Sequence, residues 1–198
     1  AGSFDGGGFT VSGYIVASAN VAGAKENNTL PLAAGFFGLV GQKAEIRGLT
    51  VGGVVSVDIS NDRTISAGGI AGYNYGTITD NINSGEVSAS GGLVKYVGGI
   101  AGFNNDTITN CANNGTVSAS GGSNRNYVGG IVGYNNTSGG NISNSCWAAS
   151  GDLKAVGNDT IVSADVVSLD AAAMQRVVTT VLPVERSLFV ALGGSAPA

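Results

Sequence analysis

The side chains that could carry chemistry here are few. The 198 residues include no histidine. That removes Ser-His-Asp and Cys-His nucleophilic arrangements and the HExxH zinc motif. No Gly-x-x-x-x-Gly-Lys-Ser/Thr phosphate loop occurs, and scattered Gly-x-Gly matches follow from a content of 34 glycines. Asp58, Asp62 and Arg63 are neighbours in sequence, and Asp80 is expected to stack near Asp106. Such clusters could cleave a polysaccharide or hold calcium, but there is no glycine-aspartate nonapeptide or EF-hand loop, so they read as turn and surface residues. No cofactor and no metal is expected. The two cysteines, Cys111 and Cys146, lack an activating base, which leaves two readings open: a pair of small buried hydrophobes or a disulfide.

Repetition determines where these residues sit. Gly69-Ile70-Ala71-Gly72-Tyr73-Asn74 returns as Gly99-Ile100-Ala101-Gly102-Phe103-Asn104 and as Gly130-Ile131-Val132-Gly133-Tyr134-Asn135. A second phrase follows each: Thr77-Ile78-Thr79-Asp80, Thr107-Ile108-Thr109-Asn110 and Asn141-Ile142-Ser143-Asn144. A third, Gly85-Glu86-Val87-Ser88-Ala89-Ser90, recurs at Gly115 to Ser120, and a divergent unit precedes them around Gly35 to Val51. Period-two alternation and β-branched residues bounded by Gly and Asn predict three short strands per unit. Units of about thirty residues that cannot bury their apolar faces alone must stack, placing equivalent positions about 4.8 Å apart. Ile70, Ile100 and Ile131 then form one inward ladder, and Ile78, Ile108 and Ile142 another.

If those isoleucines point inward, alternation turns Tyr73, Phe103 and Tyr134 outward beside Asn74, Asn104 and Asn135. Such a stripe could bind a glycan; alternatively the rings stack on one another and the amides complete turns. Tyr96 and Tyr127 invite the same two readings. The Cys111 and Cys146 positions fall in adjacent units, one step out of register. Asn-x-Ser/Thr acceptors recur at Asn27, Asn105, Asn114, Asn135, Asn136, Asn141 and Asn158, on predicted turns.

Composition narrows the partners. Hydrophobic residues make up 43%, enough for a core, while charged residues are 11% and the net charge is −4. No basic surface is available for nucleic acid, and no apolar run approaches the length of a membrane span. The chain opens at Ala1 without a leader, as a mature or trimmed product would.

These phrases resemble the GLUG-motif repeats of bacterial cell-surface and adhesin-like proteins, and Gly2 to Val11 is similar to the phrase that introduces such arrays. The resemblance covers about residues 2 to 146. It implies an all-β parallel β-helix or solenoid on the outside of a cell, carrying little chemistry. Residues 1–160 are expected to form the solenoid, with an insertion at 17–32 that carries Lys25, Glu26, Asn27 and Asn28. Residues 161–198 would be a cap or a subunit-docking segment, with a short helix near Ser168 to Val178 and a last strand at Leu188 to Leu192. The resulting expectation is a non-catalytic extracellular structural or adhesive module whose partner is a surface glycan, a surface protein or itself. A second expectation is a filament subunit: the chain starts without the strand that usually precedes such arrays, so another copy could complete the coil. A polysaccharide-active β-helix enzyme comes third.

Overall fold

A computed structural model describes residues 2–19, 31–59, 63–121, 125–160 and 163–178. The first coil contains β1 (Ser3–Asp5), β2 (Thr10–Ala19), β3 (Leu32–Ala34) and β4 (Phe37–Val40). The second contains β5 (Glu45–Arg47), β6 (Thr50–Ile59), β7 (Thr64–Gly68) and β8 (Ala71–Asn74). The third is cut more finely, into β9 (Thr77–Thr79), β10 (Ile82–Asn83), β11 (Glu86–Gly91), β12 (Val94–Gly98) and β13 (Ala101–Asn104). The fourth repeats it as β14 (Thr107–Thr109), β15 (Ala112–Asn113), β16 (Val117–Ser120), β17 (Arg125–Gly129) and β18 (Val132–Asn135). Then come β19 (Asn141–Ser143), β20 (Cys146–Ala148), β21 (Val167–Leu169) and the helix α1 (Ala171–Arg176).

Among the described residues every strand pairing is parallel and joins one coil to the next. The result is a β-solenoid with four lateral sheets. Sheet A runs β1-β5-β9-β14-β19, sheet C β17-β12-β7-β3 and sheet D β18-β13-β8-β4. Sheet B gathers β2, β6, β10, β11, β15, β16, β20 and β21. The three strands per unit expected from the phrases become five in the third and fourth coils. The extra ones are the two-residue β10 and β15, too short to show alternation, and β12 and β17 ahead of each Gly-Gly-Ile. The insertion is also shorter than 17–32, because Ala17 to Ala19 continue β2 against Ser56 to Asp58 and Leu32 begins β3. The four residues that it was expected to display lie outside the described residues, as do Asp62 and the expected strand at 188–192.

Two features of the sequence set the corners. Gly48, Asp80, Asn110 and Asn144 stack between sheets A and B with φ of 64, 57, 53 and 45°. Gly, Asn and Asp are the residues that tolerate this left-handed region, hence the Asp/Asn that closes each Thr-Ile-Thr phrase. At the turn from C to D the backbone passes so close to its surroundings that only glycine fits. A Cβ on Gly69 or Gly99 would strike the amide of Asn83 or Asn113, and one on Gly130 would strike Trp147. The turn thus reaches across the interior to sheet B and divides the core in two. One apolar column holds Ile46, Ile78, Ile108 and Ile142 with Ile70, Ile100 and Ile131. The other packs Val55, Val57, Val87 and Ala89 of sheet B against Ile65, Ala67 and Val97 of sheet C. Both expected isoleucine ladders are therefore present and fully inside.

At the N-terminal end the first column is closed by rings. Phe4 meets Phe37 edge-on at 5.2 Å, Phe37 meets Phe36 at 5.1 Å, and Tyr14 meets Phe36 at 5.3 Å. At the other end the solenoid continues past the last recognisable phrase. Ile131 and Val132 both donate to Ala155 O, and Val132 forms a parallel bridge with Val156. Gly157 presses on β17 as Gly133 presses on β12. Residues 153–158 therefore trace one more passage of the C-to-D turn, in which Leu153-Lys154-Ala155 stands where Gly-Gly-Ile stood. The expected C-terminal helix is present, with Asp170 Oδ1 accepting from Ala173 N at 2.8 Å. It lies along the outer face of sheet B, packing Met174 and Val177 over Ala112 and Cys146.

Candidate functional site

The expected stripe of rings beside amides separates into an inner and an outer ladder. Asn74, Asn104 and Asn135 are buried. Asn74 Nδ2 donates to Asn104 Oδ1 at 2.7 Å, and Asn104 Nδ2 donates to Asn135 Oδ1 at 2.8 Å. Each amide also closes its own corner: Gly76 N donates to Asn74 Oδ1, Asn104 donates to Asp106 O, and Asn135 donates to Gly140 O. None of the three is available to a ligand: of the two readings of these amides, the structure shows the one in which they complete turns, not the one that seats them on an outer binding face. A buried amide needs all these partners, and the ladder supplies them from within. A second inner ladder joins Asn83 Nδ2 to Asn113 Oδ1 at 2.9 Å. The sequence reading missed it, although the 30-residue spacing was its signal.

The rings remain outside. Gly72, Gly102 and Gly133 let strand D lie directly against the backbone of strand C: a Cβ on Gly72 would sit 2.7 Å from Ala34 N. Along the outer notch between these sheets the D-strand column Leu39, Tyr73, Phe103, Tyr134 runs beside the C-strand column Ala33, Ser66, Tyr96, Tyr127. The two expected ring ladders thus merge. Phe103 and Tyr134 stack at 5.6 Å with 2° between their planes. Tyr96 lies 5.5 Å from Tyr127 and 5.0 Å from Tyr134, and Tyr127 stands at 88° to Tyr134. All five rings are half-buried. Burial, aided by the neighbouring phenols of Tyr75 and Tyr96, pushes the Tyr73 hydroxyl up to about 12, and burial also raises that of Tyr96.

The other candidates are placed as follows. Asp80 accepts from Asn110 Nδ2 at 3.0 Å at the A-to-B corner, whereas Asp106 sits before β14 at the D-to-A corner and accepts from Thr107 Oγ1. They occupy different columns, so the expected stacking of these two carboxylates does not occur. Asp58 is exposed and accepts from Ser90 Oγ. Among the described residues, no group of three His, Cys, Asp or Glu could hold a metal ion.

Both cysteines are free and buried. Cys146 pairs with Ala112, so one register step puts the two thiols on opposite faces of sheet B. Cys111 faces the apolar column, while Cys146 lies under α1. This is the buried-hydrophobe reading; a disulfide between these faces would require the strand to turn over. Burial pushes both thiols up to about 12. Cys111 also takes a polar role, because its Sγ donates to Thr109 O at 3.2 Å as Asn81 and Ser145 donate to Thr79 O and Ser143 O.

Of the glycosylation acceptors, Asn114 and Asn141 are exposed. Asn135 is buried in the ladder, Asn136 donates to Asn105 Oδ1, and Asn158 donates to Asn135 O at 3.0 Å while accepting from Asn135 N. Asn27 lies outside the described residues. Lys95 was not anticipated: it stands on the inner face of sheet C between Ile65 and Asn126, donates to Gly91 O, and has its pKa lowered by burial.

In class, then, the molecule is a parallel β-solenoid with its polar ladders inside and a strip of aromatic rings along one outer notch. The family model described as the GLUG motif matches residues 95–118, which run from β12 through the Gly-Phe-Asn phrase to β16. No curated protein and no solved structure matches the chain.

Proposed function

We propose that the chain is a non-catalytic extracellular surface module: a stiff solenoid that presents a lateral binding face. The observation that carries this reading is the in-register stacking of the four sheets, interrupted at one bulge in β2 between Ser12 and Ile15. Backbone hydrogen bonds, isoleucine ladders and amide ladders then run along one axis, and bending the solenoid strains all of them together. The sealed thiols and separated carboxylates support a scaffold over a catalyst, and the GLUG motif fits a β-helical surface module. Small-angle X-ray scattering tests the shape, with a compact monomer about as broad as its few stacked coils are tall expected and an expanded particle rejecting it. Release of reducing ends above blank from a panel of polysaccharides would reject the non-catalytic part.

A filament subunit is the second reading, favoured by the first coil. Among the described residues each of β1 to β4 pairs on one side only, and Phe9, Ile15 and Leu39 are 76, 73 and 61% exposed there. Strand edges beside apolar side chains are templates for a further chain. Sedimentation velocity across a wide concentration range decides between the readings: growing polymers support the filament, and a constant monomer removes it.

A further inference from the structure

The geometry points to the aromatic notch between sheets C and D as a binding site for a neutral polysaccharide chain laid along the solenoid axis. This rests on the reading of the chain as a surface module. Three properties of the notch select the occupant. The first is periodicity: Leu39, Tyr73, Phe103 and Tyr134 are successive rungs of one column, with Tyr96 and Tyr127 alongside. At strand spacing that column spans about 14 Å. Like groups repeated at equal intervals suit a polymer of like units better than a single small molecule.

The second property is charge. No carboxylate or ammonium group belongs to either column, and the phenols of Tyr73 and Tyr96 are held neutral well above physiological pH. Among the described residues, Arg125 sets a guanidinium near the rings, its Nη1 3.4 Å from Tyr127 Oη at the C-terminal end. A charged chain would lose solvation over most of its length without gaining a partner. The third is the surface itself. Half-buried tyrosines offer carbon faces and edges for sugar C–H groups, together with hydroxyls for sugar hydroxyls, on side chains already immobilised by one another. The floor cannot rise to fill the notch, because Gly72, Gly102 and Gly133 have no room for a Cβ. A proline-rich peptide also docks on aromatic grooves, but its register repeats every three residues rather than at every rung, so the polysaccharide is the better match.

The test is titration calorimetry of the intact protein with neutral gluco-, manno- and chito-oligosaccharides of increasing length. A uronate oligosaccharide and a proline-rich peptide serve as competing classes. Affinity is expected to rise with length until the chain covers the column, and to fall about tenfold in Tyr96→Ala and in Tyr127→Ala, the loss of one aromatic contact. Tyr127→Phe, which keeps the ring, should retain most of the binding. Failure of every neutral oligosaccharide to bind, preference for the uronate or the peptide, or binding unchanged by ring removal would overturn the proposal. Should an alanine variant unfold, saturation-transfer NMR on the unaltered protein decides: transfer between sugar protons and tyrosine ring protons is required, and its absence rejects the site. A folded, non-catalytic monomer that binds no glycan would reject this site and leave the module reading standing.

Discussion

Asn104 donates to Asp106 O and to Asn135 Oδ1 while accepting from Asn74 Nδ2, all without access to water. Replacing it by alanine strands polar groups above and below as well as its own corner. Asn104→Ala is expected to lower unfolding stability by about 3 kcal/mol, measured by chemical denaturation, since each orphaned buried group costs roughly 1–3 kcal/mol. Changing the exposed Asn114 should leave the midpoint unmoved. The buried acids act through pH. The folded state holds Cys111 and Cys146 neutral up to about 12, against an ordinary 9.0, and Tyr73 up to about 12 against 10.0. In the unfolded chain these groups ionise first. Stability that is fully present below about pH 9 is therefore lost as pH rises towards 12, and a denaturation series across that window should show a falling midpoint. In the native state neither thiol should react with a thiol reagent at pH 8, and both should react on unfolding.

The elements depend on contacts that have no side chain to mark them. Gly72→Ala places a methyl group against the backbone of β3, where nothing can rotate away. It is expected to cost about 2–3 kcal/mol by overpacking and to open the C-to-D notch, visible as raised solvent accessibility of Tyr73 in quenching measurements. The ladders of Ile70 and Ile78 and the ring columns were legible in the sequence because a 30-residue period aligns like with like. Alternation that turns Tyr73 outward turns Asn74 inward, and β8 buries it there; an outer seat for the amides beside the rings overlooked this. The two-residue β10 carries no period, and Leu153 to Asn158 conceals its repeat because Lys154 and Ala155 replace Gly and Ile. The thiols look like potential partners in sequence, yet one residue of register sends them to opposite faces of the sheet.

Over the whole molecule, coils gain stability from neighbours on both sides, and end coils have only one. Native-state hydrogen exchange should therefore be slowest in β8, β9, β13 and β14 and faster in β1 and β4. It should also be fast in β16 and β17, which are the last strands of their stacks, while β14 and β15 continue to β19 and β20. Equal protection across all coils would contradict the nearest-neighbour picture.

The same register has a consequence for how such a chain changes length over generations. Removing residues 75–104 would bring Asn74 beneath Asn135, Ile70 beneath Ile131 and Tyr73 beneath Tyr134, each meeting the kind of neighbour that it meets now. The rings that close the first column and the crossing that ends it would be untouched. Unequal recombination between repeats of the gene can thus shorten or lengthen the solenoid by whole coils, so its length can be selected without redesigning either end.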